Sequence, residues 1–144
     1  AAVLPGLDGR KMSKSYGNTI PLFLSEKQLK KHINKIKTNL LEPGEAKDPD
    51  DSAVFQIWQA FSSSEQTAEM RLAFDNGIGW GEAKRQLFEL INGQLQEPRE
   101  KYIELLENPS RVESILQDGG EKARQHAQDL MSVLRSAVGI RPLG

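Results

Sequence analysis

Cysteine is absent from this 144-residue sequence, which excludes disulfide bonds and thiolate metal sites within it. The absence is consistent with a reducing compartment, and we expect a cytoplasmic protein. Long apolar runs are missing as well, since no stretch approaches the roughly 18 apolar residues that span a bilayer. The formal net charge of -1 gives no global field that would favour a membrane surface or a nucleic acid.

The local distribution of charge is less even than the total. Residues 10–37 contain eight lysines or arginines and one glutamate, whereas residues 42–51 contain five acids and one lysine. This pattern predicts a basic surface followed by an acidic loop. Such a surface is either a solvated face or a site for a polyanion, and the charge count alone leaves both interpretations open.

Helical periodicity dominates from residue 25 onward. Ser25 and Gln28 fit a capping box, which predicts a helix start. One apolar face follows at Leu29, Ile33, Ile36 and Leu40. A loop rich in Pro, Gly and Asp is predicted at 42–51. The next helix has its cap at Asp51 or Ser52 and an apolar face of Val54, Ile57, Trp58 and Phe61, with Phe55 beside it. A third helix is capped within 62–66, ends at Asp75–Gly77 and has as its apolar residues Met70, Leu72 and Phe74.

The C-terminal half predicts longer helices. Pro98 should kink or break the first of them, because proline removes one backbone donor. Asn108-Pro109 restarts the pattern as a cap and a first-turn proline, Gly119-Gly120 predicts a bend, and Gly139 ends the last helix. The apolar residues are Ala83, Leu87, Leu90, Ile91, Leu95, Tyr102, Leu105, Leu106, Val112, Ile115, Leu116, Ala123, Ala127, Leu130, Met131, Leu134 and Val138. Apart from a short candidate strand at 18–20 there is almost no strand signal. The predicted fold class is therefore all-α, a helical bundle of five to six helices preceded by an irregular loop segment.

The stretch GRKMSKSYGN at residues 9–18 is too polar and too glycine-bounded to form core. Lys11 and Lys14 lie three residues apart in a glycine-hinged loop, a spacing that lets both converge on one polyanion, because lysine binds phosphate as a compact charge. Serine hydroxyls and backbone N–H groups add donors for phosphate oxygens. Such a loop is suited to stabilising the charge that builds on a leaving pyrophosphate. Taken without its context the signal is weak, since short Lys/Ser loops are common.

Lys11-Met12-Ser13-Lys14-Ser15 resembles the KMSKS signature of class I aminoacyl-tRNA synthetases at all five positions. The surrounding LPGLDGRKMSKSYGNTI, at 4–20, is similar to a segment of the bacterial tryptophanyl members. GIGWGEAKRQLFELI at 77–91 and EKARQHAQDLMSVLRSAVGI at 121–140 also resemble their C-terminal part. The resemblance covers essentially the whole chain. Within the family, a tyrosyl-type synthetase is the alternative.

The resemblance implies an ATP-dependent tryptophan–tRNA ligase, which forms tryptophanyl adenylate and transfers tryptophan to tRNA(Trp). ATP, carrying Mg²⁺ on its phosphates, would be bound by the loop residues Lys11, Met12, Ser13, Lys14 and Ser15. Lys11 and Lys14 would be the catalytic cations that stabilise the departing pyrophosphate. His32 and His126 lack metal-ligand spacing, so we expect no metal bound by protein side chains.

The resemblance also implies a division into two parts. Residues 1–24 would be the KMSKS loop and linker at the tail of an α/β catalytic domain, and residues 25–144 a helical domain that binds the tRNA anticodon. The family's HIGH-like motif and tryptophan pocket do not occur in this sequence. We therefore expect the C-terminal part of a longer, homodimeric enzyme, inactive and monomeric by itself. The alternative from another class is a stand-alone helical RNA-binding or interaction module.

Cations outside the loop are candidates for tRNA contact. Lys30, Lys31 and Lys35 lie on the polar side of a predicted helix, where a solvated face explains them equally well. Lys84 and Arg85 begin the long helix, where cations oppose the helix dipole, so a phosphate or base contact would explain their placement. Trp80 is expected either to stack on an unpaired base or to fill the core, and the core role is favoured because aromatics dominate protein cores.

Overall fold

The computed structural model describes residues 3–140. Within that range five α-helices follow an N-terminal loop: α1 Glu26–Asn34, α2 Ala53–Phe61, α3 Ser64–Asp75, α4 Trp80–Glu107 and α5 Pro109–Ala137. A 3₁₀ turn spans Lys14–Tyr16. The all-α prediction is confirmed. The candidate strand at 18–20 is wrong, because the only extended pairing within the described range is an isolated bridge between Pro5 and Lys11.

The chain divides into two units between Glu100 and Lys101, inside α4. The first unit contains the loop, α1 to α3 and most of α4, and the second contains the end of α4 and α5. In the first unit, Leu7, Ile20 and Leu24 pack against the helical core. The boundary predicted after residue 24 stays a prediction. None of the helices within residues 3–140 is both long and apolar enough to cross a bilayer.

Serine caps begin the short helices α1 and α2. The Ser25 hydroxyl accepts from the Gln28 N–H while the Gln28 side chain accepts from the Ser25 N–H, so the predicted capping box is confirmed. Ser52, rather than Asp51, caps α2 by accepting from the Phe55 N–H at 3.3 Å. These caps satisfy backbone donors that the first helical turn leaves without partners.

Helix α3 begins with a second capping box, between Ser63 and Gln66. Met70 and Phe74, one turn apart, are buried, whereas Leu72 is 61% exposed. Two residues advance about 200° around a helix, so Leu72 faces away from the side that carries Met70 and Phe74. Of the three apolar residues named for this helix, Leu72 therefore does not contribute to the core.

Helix α1 ends at Asn34, so the predicted apolar face does not continue in helical register. Ile36 is still buried, but Leu40 is 97% exposed. The Lys84 ammonium donates to the carbonyl oxygens of Asn34, at 3.1 Å, and Ile36, at 2.6 Å. These carbonyls therefore have a side-chain partner where a longer helix would supply backbone donors. Leu40 lies beyond the end of α1, so the prediction that it shares this face is wrong.

The core of the first unit centres on the fully buried Phe74. The rings of Phe55 and Trp80 lie edge-on to it, at 5.4 Å and 5.7 Å between centroids. The core roles predicted for Phe55 and Trp58 are confirmed, and Phe61 is partly buried against the same cluster. The remaining buried residues of this hydrophobic cluster come from all four helices and the turn after α1: Leu29, Ile33, Ile36, Ala53, Val54, Ile57, Met70, Ala83, Leu87, Phe88 and Ile91.

In the second unit, α5 runs without interruption through Gly119-Gly120. The predicted bend there is wrong. Glycine lowers helix propensity by about 1 kcal/mol, but it keeps both backbone hydrogen-bonding groups, so the helix continues through it. Helix α4 likewise continues through Pro98 without a break. The predicted start at Asn108-Pro109 is confirmed. Of the predicted apolar residues in this unit, Leu105 is half-buried and the others are exposed, with Leu106, Ile115, Leu116, Leu130 and Val138 the most exposed of the large side chains.

We expect Phe74→Ala to lower the free energy of unfolding of the first unit by about 3–5 kcal/mol, because it removes a buried ring and leaves a cavity. Urea unfolding followed by tryptophan fluorescence measures this, since both tryptophans of the chain, Trp58 and Trp80, lie in that unit. The matched control Leu72→Ala, on the same helix but exposed, should stay within about 0.5 kcal/mol. Equal losses for the two variants would contradict the assigned orientation of α3.

Candidate functional site

The motif at residues 11–15 lies in a loop whose two sides are bonded to each other. The Met12 N–H donates to the Leu4 carbonyl at 2.8 Å, and the Gly6 N–H donates to the Arg10 carbonyl at 2.7 Å. Gly9, with φ of 81°, makes the turn between them in a conformation that favours glycine. The loop therefore has a hydrogen-bonded base, although sequence patterns predict only irregular structure there.

Asn18 lies beneath the loop and is 3% exposed. Its side-chain N–H₂ donates to the Asp8 carboxylate at 2.7 Å and to the Lys11 carbonyl at 3.1 Å. Its side-chain oxygen accepts from the Ser13 N–H at 2.8 Å. Sequence reasoning missed this residue. The pair Gly17-Asn18 predicts a turn, and a turn asparagine is usually exposed.

The Asp8 carboxylate receives three further contacts in addition to the one from Asn18. The Arg10 N–H donates to it at 3.1 Å and the Arg10 side chain at 2.7 Å, with an ion pair between the two charged groups. Hydrogen bonds, first from Asn18 and then from Arg10, lower the pKa of Asp8 to about 2. The Arg10 guanidinium also lies 4.6 Å from the centre of the Tyr16 ring, so Arg10 is engaged within the loop.

The two predicted catalytic lysines differ from Arg10 in their surroundings. Lys11 and Lys14 are exposed, and no hydrogen bond or ion pair joins either ammonium to another residue between positions 3 and 140. The hydroxyls of Ser13 and Ser15 are hydrogen-bonded to each other at 2.8 Å, and Met12 is half-buried. The loop therefore carries two exposed ammonium groups without partners in the described part of the chain, on a backbone that is hydrogen-bonded to the buried Asn18 side chain.

The loop is also bonded to the helical part of the first unit. The Asn18 carbonyl accepts from the Leu7 N–H at 2.9 Å, and the Leu7 carbonyl accepts from the Lys37 N–H at 2.8 Å. Lys37 lies just after α1, next to Ile36, whose carbonyl holds the Lys84 ammonium. A continuous series of hydrogen bonds thus links the start of α4 to the base of the loop.

The other predicted site residues divide into exposed and engaged cations. Lys31 and Lys35 are exposed on and just after α1, and Lys30 extends over the ring of Phe88, 5.6 Å from its centre. Their predicted contact with tRNA stays a prediction. The structure does not bring them into contact with the loop lysines.

Lys84 and Arg85 both have partners within the first unit. Lys84 caps the C-terminal carbonyls of α1, and burial lowers the pKa of its ammonium. Arg85 forms ion pairs with Glu82 and Glu89, and hydrogen bonds from Arg85 and then Gln86 lower the pKa of Glu82 to about 2. The unfavourable position of two cations at a helix start thus has an intramolecular explanation, and their role toward tRNA stays a prediction.

Trp80 packs against the core and is not free to stack on a base with both faces. Its ring contacts Phe74, and its indole N–H donates to the Asn39 side chain at 3.1 Å. Lys47, which is 2% exposed, lies 5.6 Å from the ring centre and donates to the carbonyls of Glu42 and Glu45. The favoured core role of Trp80 is therefore confirmed.

The described residues contain no group of three or more metal-ligating side chains. The His32 ring is hydrogen-bonded to the Gln28 carbonyl at 2.9 Å, one helical turn away.

Comparison with known proteins identifies close relatives along the chain. Residues 1–96 match the family described as tRNA synthetases class I (W and Y). The chain is 55% identical over 141 residues to the tryptophan–tRNA ligase of Neisseria meningitidis serogroup A, covering 98% of this chain and 42% of that protein. It is 55% identical over 140 residues to the tryptophan–tRNA ligase of Pseudomonas syringae pv. tomato, covering 97% of this chain and 31% of that protein.

A solved structure has the same fold over nearly the whole chain. The tryptophanyl-tRNA synthetase of Campylobacter jejuni, crystallised with ADP and tryptophan, superposes with a TM-score of 0.88 at 43% identity. The superposition covers 96% of this chain and 44% of that one. The chain thus spans less than half the length of the relatives it matches.

The contacts of Asp8 generate a test by pH. Because the Asn18 hydrogen bond is the largest cause of the lowered pKa, we expect Asn18→Ala to raise the Asp8 pKa from about 2 toward its ordinary value of 3.8. In the unsubstituted chain, ionised Asp8 stabilises the native loop fully above pH 3.8, and that stabilisation is lost as the pH falls toward 2.

A carboxyl NMR titration of the chain measures this shift. Asp50 serves as the internal control, because its pKa is lowered by Arg71 rather than by Asn18. An Asp8 pKa that stays low in the variant would show that Asn18 does not hold the carboxylate.

Proposed function

The chain belongs to the class I tRNA synthetases of the W and Y family, and on that premise we propose that it supplies the ATP-binding loop and the tRNA-binding helices of a tryptophan–tRNA ligase. The observation that carries the proposal is the pair of exposed, unpaired lysines, Lys11 and Lys14, on the hydrogen-bonded loop. A loop with only a structural role has no need to leave both cations available.

In the proposed reaction the tryptophan carboxylate attacks the α-phosphorus of ATP, and pyrophosphate departs with the electron pair of the broken P–O bond. Lys11 and Lys14 would bind the phosphates and stabilise the negative charge that accumulates on the leaving group. Ser13 and Ser15 would add hydroxyl donors, Met12 would pack beside them, and Mg²⁺ would arrive bound to ATP. The ADP and tryptophan in the Campylobacter jejuni structure support a nucleotide and tryptophan as ligands.

The second half of the proposed activity is transfer of tryptophan to tRNA(Trp). Lys30, Lys31 and Lys35 would contact the phosphate backbone, because exposed lysines gain affinity by releasing counterions from nucleic acid. Lys84 and Arg85 are proposed as weaker contributors, since their partners within the protein compete with RNA. The relatives' names favour tryptophan over tyrosine, and their identity along the whole chain favours a ligase over a stand-alone RNA-binding module.

Further properties of the enzyme and of this chain complete the proposal. The enzyme acts in the cytoplasm and as a homodimer, whereas this chain by itself is a monomer and does not activate tryptophan. The remaining length of the relatives would supply the rest of the ATP site and the tryptophan pocket. No metal is expected to be ligated by side chains of this chain.

Lys14→Ala, in a ligase that contains this chain, should slow adenylate formation by about 10²–10³-fold, because it removes one donor to the leaving group. Tryptophan affinity should change little, since the loop cation acts on the phosphates. Single-turnover adenylate formation and equilibrium tryptophan binding measure the two effects. Lys122→Ala, an exposed lysine on α5, is the control. Equal losses in rate and tryptophan affinity would count against the leaving-group role.

Lys31→Ala and Lys35→Ala should each weaken tRNA(Trp) binding and lower the slope of log affinity against log salt by about 1. Arg85→Ala should have a smaller effect, because its guanidinium is already paired with Glu82 and Glu89. Binding titrations at several salt concentrations compare the three variants. A larger effect for Arg85→Ala would locate the RNA surface at the start of α4 instead.

A further inference from the structure

Asn18 bonds to the loop backbone on both sides of Met12. It donates to the Lys11 carbonyl at 3.1 Å and accepts from the Ser13 N–H, directly before Lys14, at 2.8 Å. Between positions 3 and 140 the side chains of both lysines have no hydrogen-bonding or ion-pair partner. The position of their ammonium groups is therefore restrained through the backbone that carries them.

Asn18 is itself held from three directions. Its side chain donates to Asp8 at 2.7 Å, and its own carbonyl accepts from the Leu7 N–H at 2.9 Å. Gly6 lies directly against it, so close that a Cβ atom at that position would come within 2.4 Å of the Asn18 side chain. An asparagine that is buried and fully bonded has one orientation, which it transmits to the two peptide groups above it.

We infer that Asn18 is the positioning residue of the loop, which places Lys11 and Lys14 for the step in which pyrophosphate leaves. The inference rests on the proposed function, because that step belongs to adenylate formation. Asn18 touches neither ATP nor tryptophan in this role and acts only through the backbone of the motif.

The physical reason is the cost of misplaced charge. A lysine on a mobile backbone still attracts the triphosphate in the ground state, so substrate affinity survives. Stabilisation of the transition state requires the ammonium groups to be in place when the charge builds, without further rearrangement. A displacement of about 1 Å is enough to lower a rate by about 10²-fold. The loss should therefore be seen in kcat rather than in KM.

The test uses ATP–pyrophosphate exchange by a ligase that contains this chain. Asn18→Ala removes all three side-chain bonds, and Asn18→Asp keeps the volume but removes both donors and opposes the Asp8 carboxylate. We expect kcat to fall by about 10–100-fold in each, with KM for ATP and tryptophan within about 3-fold. Adding Asp8→Asn to Asn18→Asp restores a donor–acceptor pair at that contact and should recover part of the lost rate.

A double-mutant cycle with Lys14→Ala separates positioning from general damage. If Asn18 acts through the two lysines, Asn18→Ala should slow the Lys14→Ala enzyme several-fold less than it slows the unsubstituted enzyme, and the effect that remains acts through Lys11. The control Asn39→Ala removes two side-chain hydrogen bonds outside the loop and should leave kcat unchanged, and thermal unfolding of each variant confirms that it is folded. The inference would be overturned if Asn18→Ala slowed the Lys14→Ala enzyme as much as it slows the unsubstituted enzyme. It would also be overturned if Lys14→Ala lowered the rate and Asn18→Ala left it unchanged. An unchanged rate in Lys14→Ala would overturn the proposed function and the inference with it.

Discussion

Phe74 is fully buried and contacts Phe55 and Trp80 edge-on, which brings α2, α3 and the start of α4 around one ring. The placement of α4 sets where Lys84 can reach, and Lys84 caps the end of α1. The segment just after α1 in turn supplies the Lys37 N–H that bonds to the loop. The position of the loop thus depends on the packing around Phe74, through contacts between residues that are close in space but distant in sequence.

The charged residues of the first unit fall into two physical classes. Arg10, Arg71 and Arg85 are paired with carboxylates. Arg10 pairs within the loop and Arg85 along α4, whereas Arg71 of α3 pairs with Asp50 in the segment before α2. Exposed pairs of this kind contribute little to stability, typically below about 1 kcal/mol, but they occupy the cations that form them. Lys11 and Lys14 have no such partner in the part of the chain that the structure describes. A count of positive charge over residues 10–37 cannot separate these classes, whereas the contacts of each side chain do.

Much of the fold follows from local rules that can be read along the chain. A capping box needs only residues three apart, so the starts of α1 and α3 at Ser25 and Ser63 were predictable. The motif from Lys11 to Ser15 is contiguous, and it carries a resemblance that the family match supports. The bend predicted in α5 failed because two glycines are a weak local signal. The apolar face predicted to continue from α1 failed where Lys84, distant in sequence, bonds to the carbonyls at the end of that helix.

The sequence by itself determined which segments are helical, where most of them begin and which loop carries the phosphate-binding residue types, because these properties depend on neighbours within one or two turns. Only the tertiary structure decided that α1 stops at Asn34, that Lys84 and Arg85 have partners within the protein, and that Asn18 is buried beneath the loop. Each of these depends on groups that folding brings together: Lys84 lies fifty residues from Asn34, and Asn18 lies ten from Asp8. An asparagine after a glycine is typical of an exposed turn. Asn18 is instead bonded to the loop, because Gly6 approaches it closely and the Asn18 side chain forms three hydrogen bonds.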